Sequence, residues 1–471
     1  MPASQQRSFL YDDARHIPIV QNLRPRNRDG FEIAIICALP VERNAVEALL
    51  DEEYETDGFS YGKAAGDRNA YTTGRLGNQH VVLAYMPGMG TTSAAAVAAN
   101  LYSSFEGIKV GMVVGICGGV PTTAGGGEIL LGDVIISTSV VQVDFGRQYP
   151  NKFIRKKEVE DTLGRANPEL RSFIERMFGY LVQRRLKDKT GLFSTQICAK
   201  KGLSKSAYPG PEHDMLYPAE YRHKHQIPGC YICDDCKSQD DDICESALRS
   251  SCEELGCDNT LSMKRSRIQR AMGFTSDRSS IMAADIQEAQ KPSIHFGRMA
   301  SSNQVMKSGQ HRDQIAAEEG VIGFEMESAG TWDFVPTIVI KSVCDYADSH
   351  KNKRWQQYAA ATAAACTKAM LEEWRGVDRP GRNLADREHP GQNYTQIIGF
   401  NDGVFQAKLI LARLSIKDIP CALDRYSLCQ HTVYGSWRYT SRVRNYCSRC
   451  REEPFTSGSM LDCYFRDGWP G

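Results

Sequence analysis

The chain lacks an excess of charge of either sign. Its 57 Lys and Arg balance 57 Asp and Glu, so the formal net charge is zero, and nothing global draws it to nucleic acid or a membrane surface. Long apolar runs are missing too: none approaches the roughly 18 residues of a membrane span. The first thirty residues, MPASQQRSFLYDDARHIPIVQNLRPRNRDG, contain no apolar h-region, so no secretory signal is read there. No G-x-x-x-x-G-K-[ST] phosphate loop and no G-x-S-x-G nucleophile elbow occurs, which sets aside P-loop and α/β-hydrolase chemistry. Cysteine, by contrast, is plentiful, with 16 in 471 residues. Without a secretory signal a disulfide framework is not expected. Cys37, Cys117, Cys344 and Cys366 fall in apolar segments, where Cys packs as a small hydrophobe. These features point to a cytoplasmic protein of ordinary globular balance, 41% hydrophobic and 24% charged.

Two blocks of the chain carry a clear rhythm. Residues 31–150 read as strand Phe31–Leu39, a helix from Val41, a strand pair Tyr71–Arg75 and His80–Tyr85, helix Thr91–Ser104, and strands Val110–Ile116 and Asp133–Ser139. Residues 293–374 read as strand IHFGRMASS, helix Gly309–Glu319, strand Val321–Phe324, a helix from Met326, strand Thr337–Val343 and an Ala-rich helix Lys353–Trp374. Apolar runs alternating with helices argue an α/β fold. The two blocks are expected to form one domain over 30–374, interrupted by a polar insertion at about 190–290. Residues 1–29 read as a disordered N-terminal arm, and 375–471 as a C-terminal tail of poor order.

The most informative segment is VIGFEMESAGTWDFVPTIVIKSVCDYADSHKNKRW, from Val321 to Trp355. It sets Glu325 and Glu327 at a helix start and ends an apolar strand on Asp345. Acids at the carboxyl ends of strands are how α/β folds build sites. The simpler alternative for Asp345 is a helix N-cap. Glu42, in the first turn after the first strand, has the alternative of merely complementing the helix dipole. Gly88-Met89-Gly90 turns a strand into a helix, where free N–H groups suit an anion or a hydroxyl-rich ligand; a tight turn without a ligand is the alternative. Gly115 to Gly119, including Cys117 and Gly118, lets a ligand approach the backbone, or bends the sheet. In the insertion, Cys230, Cys233 and Cys236 have a zinc-like spacing near His213, His223 and His225, without a clean second knuckle. No metal ligand and no cofactor is assigned on that basis. Cys447-x2-Cys450 is a weaker pattern of the same kind.

Seven blocks occur in order: FEIAIICALPVE, PGMGTTSAAAVAANL, VGICGGVP, LGDVIIS, ASSNQVMKSG, GFEMESAG and VCDYADSHKNKRWQQYAAATAAA. Together they resemble the nucleoside phosphorylase (PNP/UDP phosphorylase, MTA/SAH nucleosidase-like) superfamily. The resemblance is to the branch found as an N-terminal domain in many fungal proteins, often ahead of NLR-type or ankyrin regions. It implies a three-layer α/β/α fold with a mixed, twisted central sheet, assembled as a homo-oligomer. It also implies cleavage of the N-glycosidic bond of a purine nucleoside or nucleotide, by water or by phosphate. The leaving base then needs an acid, and Asp345 matches that residue. Glu42 matches the base that activates water. By the same resemblance Glu327 and Met326 hold the ribose, Gly118 contacts the ligand through its backbone, and Val305 and Met306 line the base. Glu325, Cys117 and Gly90 complete the expected ligand-facing set.

The resemblance also bears on the nucleophile. Phosphorylases of this superfamily hold phosphate with an arginine, and Val113 occupies the matching position. Their phosphate-binding serine matches Ile116. Losing both while keeping Glu42 favours hydrolysis over phosphorolysis. Arg43 could replace them but neighbours Glu42 on the helix. Lys341 stands where nucleosidases often carry Arg. Arg147, Lys307, Lys351 and Lys353 leave room for a nucleotide substrate. A catalytically inactive sensing or oligomerisation domain is the remaining alternative, from a different class.

Overall fold

The computed structural model describes residues 24–56, 58–238, 240–273 and 282–375, with two short strands further on. The chain divides into two compact units, Met1–Asp378 and Arg379–Gly471. In the second, Val433–Tyr434 pairs antiparallel with Tyr446–Cys447. The expectations of a disordered arm before residue 24, of poor order in the tail, and of a Cys447–Cys450 pair lie outside the described residues. Residues 24–29 of the expected arm are described, and they are tied to the first unit: the Arg24 guanidinium donates to Glu52 at 2.8 Å and Tyr61 Oη donates to the Pro25 carbonyl.

In chain order the strands are β1 (Ile33–Cys37), β2 (Glu52–Glu53), β3 (Tyr71–Leu76), β4 (Gln79–Tyr85), β5 (Val110–Gly119), β6 (Val134–Gln142), β7 (Gly146–Gln148), β8 (Phe153–Arg155), β9 (Ile294–Ser301), β10 (Val321–Glu325) and β11 (Thr337–Asp345). The helices are α1 (Pro40–Glu47), α2 (Thr91–Ser104), α3 (Pro168–Met177), α4 (Tyr180–Cys198), α5 (Tyr231–Asp235), α6 (Cys252–Leu255), α7 (Ser266–Ala271), α8 (Ala283–Gln290), α9 (Gly309–Glu319), α10 (Ser328–Thr331) and α11 (Gln356–Leu371). Nine strands form one mixed sheet in the order β10-β9-β6-β11-β5-β1-β4-β3-β2. Strand β1 is parallel to β4 and β5, β5 to β11, and β6 to β9. The β6–β11 and β3–β4 pairs are antiparallel.

Helices cover both faces, as the three-layer reading requires. On one side α1, α3, α4 and α11 pack on Ile33, Ile35, Met112, Val114, Ile338 and Ile340. On the other, α2 lays Ala94, Val97, Ala98 and Leu101 on the alternate residues Ala34, Ile36, Val82 and Ala84. That i, i+3, i+4, i+7 stripe meets a period-two strand pattern, so both local rhythms agree with the packing. Helix α4 buries Leu186, Phe193 and Ile197 in the first cluster, each worth roughly 1.5–3 kcal/mol. It therefore belongs to the domain, and the insertion begins near residue 200 rather than 190. The helical stretch expected over Asn167–Leu186 is two helices, because the chain extends at Gly179 (φ −65°, ψ 133°).

A part of the sheet closes on itself. Strand β10 pairs parallel with β9 and also antiparallel with β5, through Gly323–Gly119 and Phe324–Gly118. Strands β5, β11, β6, β9 and β10 thus form a ring. Glycine is required at the seam: a Cβ on Gly119 would lie 2.6 Å from Val343 Cγ1, and one on Gly323 2.9 Å from Ile135 Cδ1.

Candidate active site

The parallel strands β1, β4, β5 and β11 direct their carboxyl ends to one edge, and the expected acids gather there. Pro40 opens α1 directly after β1, which puts Glu42 in the first turn, reaching back over the strand end. Its Oε2 accepts the N–H groups of Ala38 at 2.9 Å and Leu39 at 2.8 Å. Its Oε1 accepts the Ile116 N–H at 2.8 Å from β5. A Cβ at Gly115 would collide with this carboxylate, so glycine is what lets Glu42 lie against β5. Glu42 is 2% exposed. Burial raises its pKa, against the lowering effect of Lys341 and of the backbone donors.

Lys341 joins the carboxylates. It sits inside the otherwise apolar β11, 1% exposed, with Nζ 2.9 Å from Glu327 Oε2 and 3.7 Å from Glu42 Oε1. Burial lowers a lysine pKa, but Glu327, Glu42 and Glu325 more than offset this and raise it. One fully desolvated ammonium therefore links acids from α1 and from the start of α10. Sequence reading noted Lys341 only as a departure from Arg. The signal for a larger role was present: a single Lys in TIVIKSV needs a buried counter-charge.

Glu325 and Glu327 diverge. The helix expected from Met326 begins at Ser328, and Glu325 is the last residue of β10. The Glu325 carboxylate accepts the N–H groups of Glu327 (3.0 Å) and Ser328 (3.0 Å to Oε2) and the Ser328 hydroxyl. These bonds turn it to the start of α10, while its charge still reaches Lys341. Burial and the neighbouring Glu327 raise its pKa. Glu327 turns instead to Lys341, and the Met326 N–H donates to its Oε2 at 3.3 Å.

Asp345 ends β11 opposite Gly118, after a bulge that follows Val343. Its Oδ1 accepts the Ala347 N–H at 2.9 Å and lies 3.0 Å from Lys351 Nζ. This is a turn within the loop, not the helix N-cap weighed as its alternative. Ala347 has φ 53°, the one positive value at a non-glycine residue among the described residues, a conformation such residues adopt at a cost. Oδ2 meets the Cys344 thiol at 3.4 Å. Gly118 closes the floor: its Cβ would lie 2.9 Å from Ala347 Cβ and 3.0 Å from Asp345 Oδ1.

The other expected residues fall around this edge with different exposures. Gly90 (φ 114°) starts α2, and the Thr91 N–H donates to Asn303 Oδ1 at 2.9 Å, tying the glycine turn to the loop after β9. Asn303 was not singled out from sequence. In that loop Val305 is 51% exposed, while Met306 packs beside Phe324 and Ala347. Met326 is half-buried. Cys117 packs in the ring interior with Val113, Ile135 and Val343, and burial raises its thiol pKa. Of the four basic residues, Lys351 meets Asp345, and Arg147, Lys307 and Lys353 are exposed. Arg43 lies over the Tyr85 ring at 5.4 Å. A cleft of about 570 Å³ lined by Ser137, Leu170, Trp332 and Thr337 lies at the amino end of β11, away from the carboxylates. Its lining lacks the charged cluster, so chemistry rather than volume marks the site. Two groups of Cys and His, one within the insertion and one joining it to His350 in the loop after β11, approach within metal-binding distance.

Residues 32–195 match the family model described as Phosphorylase superfamily. The matched stretch runs from β1 into α4, about a third of the chain. The match contains Glu42 and Gly118 and ends before Glu325, Glu327, Lys341 and Asp345. A nucleotide-binding leucine-rich repeat (NLR)-like protein of Hyaloscypha variabilis is 28% identical over 349 residues, 73% of this chain; the chain spans 29% of that protein's length. Among solved structures, the 5'-methylthioadenosine/S-adenosylhomocysteine nucleosidase of Neisseria meningitidis is similar at 16% identity and a TM-score of 0.37, covering 73% of this chain and 99% of its own. The Streptococcus pyogenes S-adenosylhomocysteine nucleosidase is similar at 14% identity and a TM-score of 0.41, covering 74% and 98%. Among the described residues, no helix is long and apolar enough to cross a membrane.

Proposed function

We propose that the domain cleaves the N-glycosidic bond of a purine nucleoside or nucleotide by hydrolysis. The observation that carries this reading is the Glu42–Lys341–Glu327 cluster, with Asp345 on the same strand as Lys341. Cleavage passes through a cationic sugar and an anionic base. Asp345, through Oδ2, donates a proton to the leaving base. Glu42, fixed by three N–H donors, takes the proton of the attacking water. Glu327, held by Lys341, accepts hydrogen bonds from the ribose hydroxyls, and Met326 lies under the sugar. Gly118 and Gly90 let the ligand approach the backbone, and Val305 and Met306 line the base. These residues need neither an organic cofactor nor a catalytic metal. The proposal takes the enzyme as a cytoplasmic homo-oligomer.

Two features favour water over phosphate. Val113 is buried among Cys117, Ile135 and Val339, where an arginine would hold phosphate. The Ile116 N–H is engaged by Glu42, so a phosphate dianion at that turn meets a carboxylate instead of a donor. The test is chromatography of the purified protein with adenosine, inosine and ATP, with and without phosphate. Free base released without phosphate supports hydrolysis; release only with phosphate makes the domain a phosphorylase. The NLR-like relative favours a second reading, a sensing domain without turnover, which ligand binding without base release would support.

A further inference from the structure

We propose that the insertion holds two structural zinc ions. In the first group His223, Cys252, Cys257 and His350 present their ligand atoms within 4.8 Å of one another. In the second, His225, Cys230, Cys233 and Cys244 do the same. The separations are those of tetrahedra. With Zn–S near 2.3 Å and Zn–N near 2.05 Å, ligand pairs about a tetrahedral centre lie about 3.3 Å (N···N), about 3.6 Å (S···N) and about 3.8 Å (S···S) apart. Here His223 Nδ1 and His350 Nδ1 are 3.3 Å apart. Cys252 Sγ lies 3.7 and 3.5 Å from them, and Cys257 Sγ 3.7 and 4.0 Å. In the second group, Cys233 Sγ and Cys244 Sγ are 3.7 Å apart, each 3.5 or 3.4 Å from His225 Nδ1.

The surroundings orient these ligands. His223 Nε2 lies 2.9 Å from the Ser250 carbonyl and His350 Nε2 3.1 Å from the Tyr221 carbonyl. A carbonyl only accepts, so each Nε2 carries the proton and each Nδ1 presents a lone pair to the other. Two facing lone pairs are reconciled by a cation between them, and carbonyl-anchored imidazoles are how metal-bound histidines are held. Around the second group, the Ala247 N–H donates to Cys244 Sγ at 3.4 Å. Lys224 Nζ donates to the Cys233 carbonyl at 2.7 Å, which suits the net negative charge of a Cys₃His zinc centre. Thiolate and imidazole ligands in tetrahedral array select zinc.

The insertion has little apolar core around these ligands. Its own apolar cluster is small, with Cys233, Ala247 and Leu255 buried, so crosslinking ions would add to the order of this stretch. The ligand sets differ from the spacing seen in sequence. Cys236 and His213 belong to neither, and His350 comes from the loop after Asp345. The first ion therefore fastens the insertion to the loop that carries Asp345, Ala347 and Lys351. On binding, each Cys loses its thiol proton to solvent and becomes a thiolate.

The test is metal analysis of the untagged full-length protein, purified with zinc in the medium. Two zinc ions per chain are expected, falling to about one in His350→Ala and in Cys233→Ser. On chelation, Cys230, Cys233, Cys244, Cys252 and Cys257 become open to alkylation mapped by peptide mass, while Cys37 and Cys366, in the α/β core, stay protected. This readout needs no variant and no turnover, so it stands or falls apart from the glycosidase reading. Less than about half an equivalent of zinc on folded protein overturns the proposal. So does a Cys252–Cys257 or Cys233–Cys244 disulfide under non-reducing conditions, or unchanged zinc content in both variants.

Discussion

Lys341 Nζ lies 2.9 Å from Glu327 Oε2, with the two side chains 1% and 5% exposed. Desolvating this pair is costly, and Glu42 at 3.7 Å adds a second acid to the same ammonium. Removing one partner of a buried pair leaves the other charged and unpaired. Lys341→Met is therefore expected to destabilise the domain by about 3–5 kcal/mol, read as a lower unfolding midpoint, and to abolish base release. Lys341→Arg keeps the charge and retains turnover. A Met variant as stable as the parent would show that the cluster is not held by this ammonium.

The pH profile should carry the mark of Glu42. Burial raises its pKa from the ordinary value of 4.5, opposed by Lys341, and a general base acts only when ionised. The acid limb of kcat/KM is expected above pH 4.5, with rate lost as pH falls. The stability sign is the reverse: the raised pKa favours the protonated fold, so this contribution is full below pH 4.5 and is lost as pH rises through the folded value. Glu42→Gln removes the turnover limb. An acid limb below 4.5 would argue against Glu42 as base.

Asp133 behaves oppositely. Burial pushes its pKa up, but Arg267, at 2.7 Å to each oxygen, and His295 more than offset this and hold it at about 2, from an ordinary 3.8. The stability it supplies is present above pH 3.8 and lost as pH falls through about 2. The shift corresponds to about 2 kcal/mol. Chemical unfolding between pH 5 and about pH 2 should show the loss, and Asp133→Asn should flatten it. Equal acid sensitivity in the variant would remove Asp133 as its source.

Glu325 and Glu327 should separate by readout. Glu325→Ala leaves the Glu327 and Ser328 N–H groups unpaired and costs about 1–3 kcal/mol, with any loss of rate secondary to stability. Glu327→Ala should raise KM for nucleosides as well. If Glu325→Ala alone raised KM in a stable protein, the two roles would be exchanged.

Asp345→Asn keeps the hydrogen bond to Ala347 and removes the proton donor. A drop in kcat of about 10²–10⁴-fold is expected, with the unfolding midpoint nearly unchanged. Full turnover in the variant would make Asp345 a loop residue only.

Much of this was legible locally. Helices Thr91–Ser104 and Gly309–Glu319 match their expected bounds, because an Ala-rich stripe opened by a Gly turn and a helix stopped by Gly320 are short-range signals. Glu42 and Asp345 were also readable, since a strand end and the turn after it fix where such a residue stands. Roles that depend on a partner were not. Glu325 and Glu327 look alike in sequence, and only the start of α10 at Ser328 makes one a cap and the other a partner of Lys341.

The sequence by itself determined the strand–turn–helix order and the acids at strand ends, since periodicity and turn chemistry act over a few residues. Only the tertiary structure decided the closing of β10 onto β5, the burial of one lysine between acids from α1 and the start of α10, and the meeting of His350 with Cys252 and Cys257. Each joins groups far apart in the chain, where no local pattern carries the pairing and only the packed sheet brings the partners within reach.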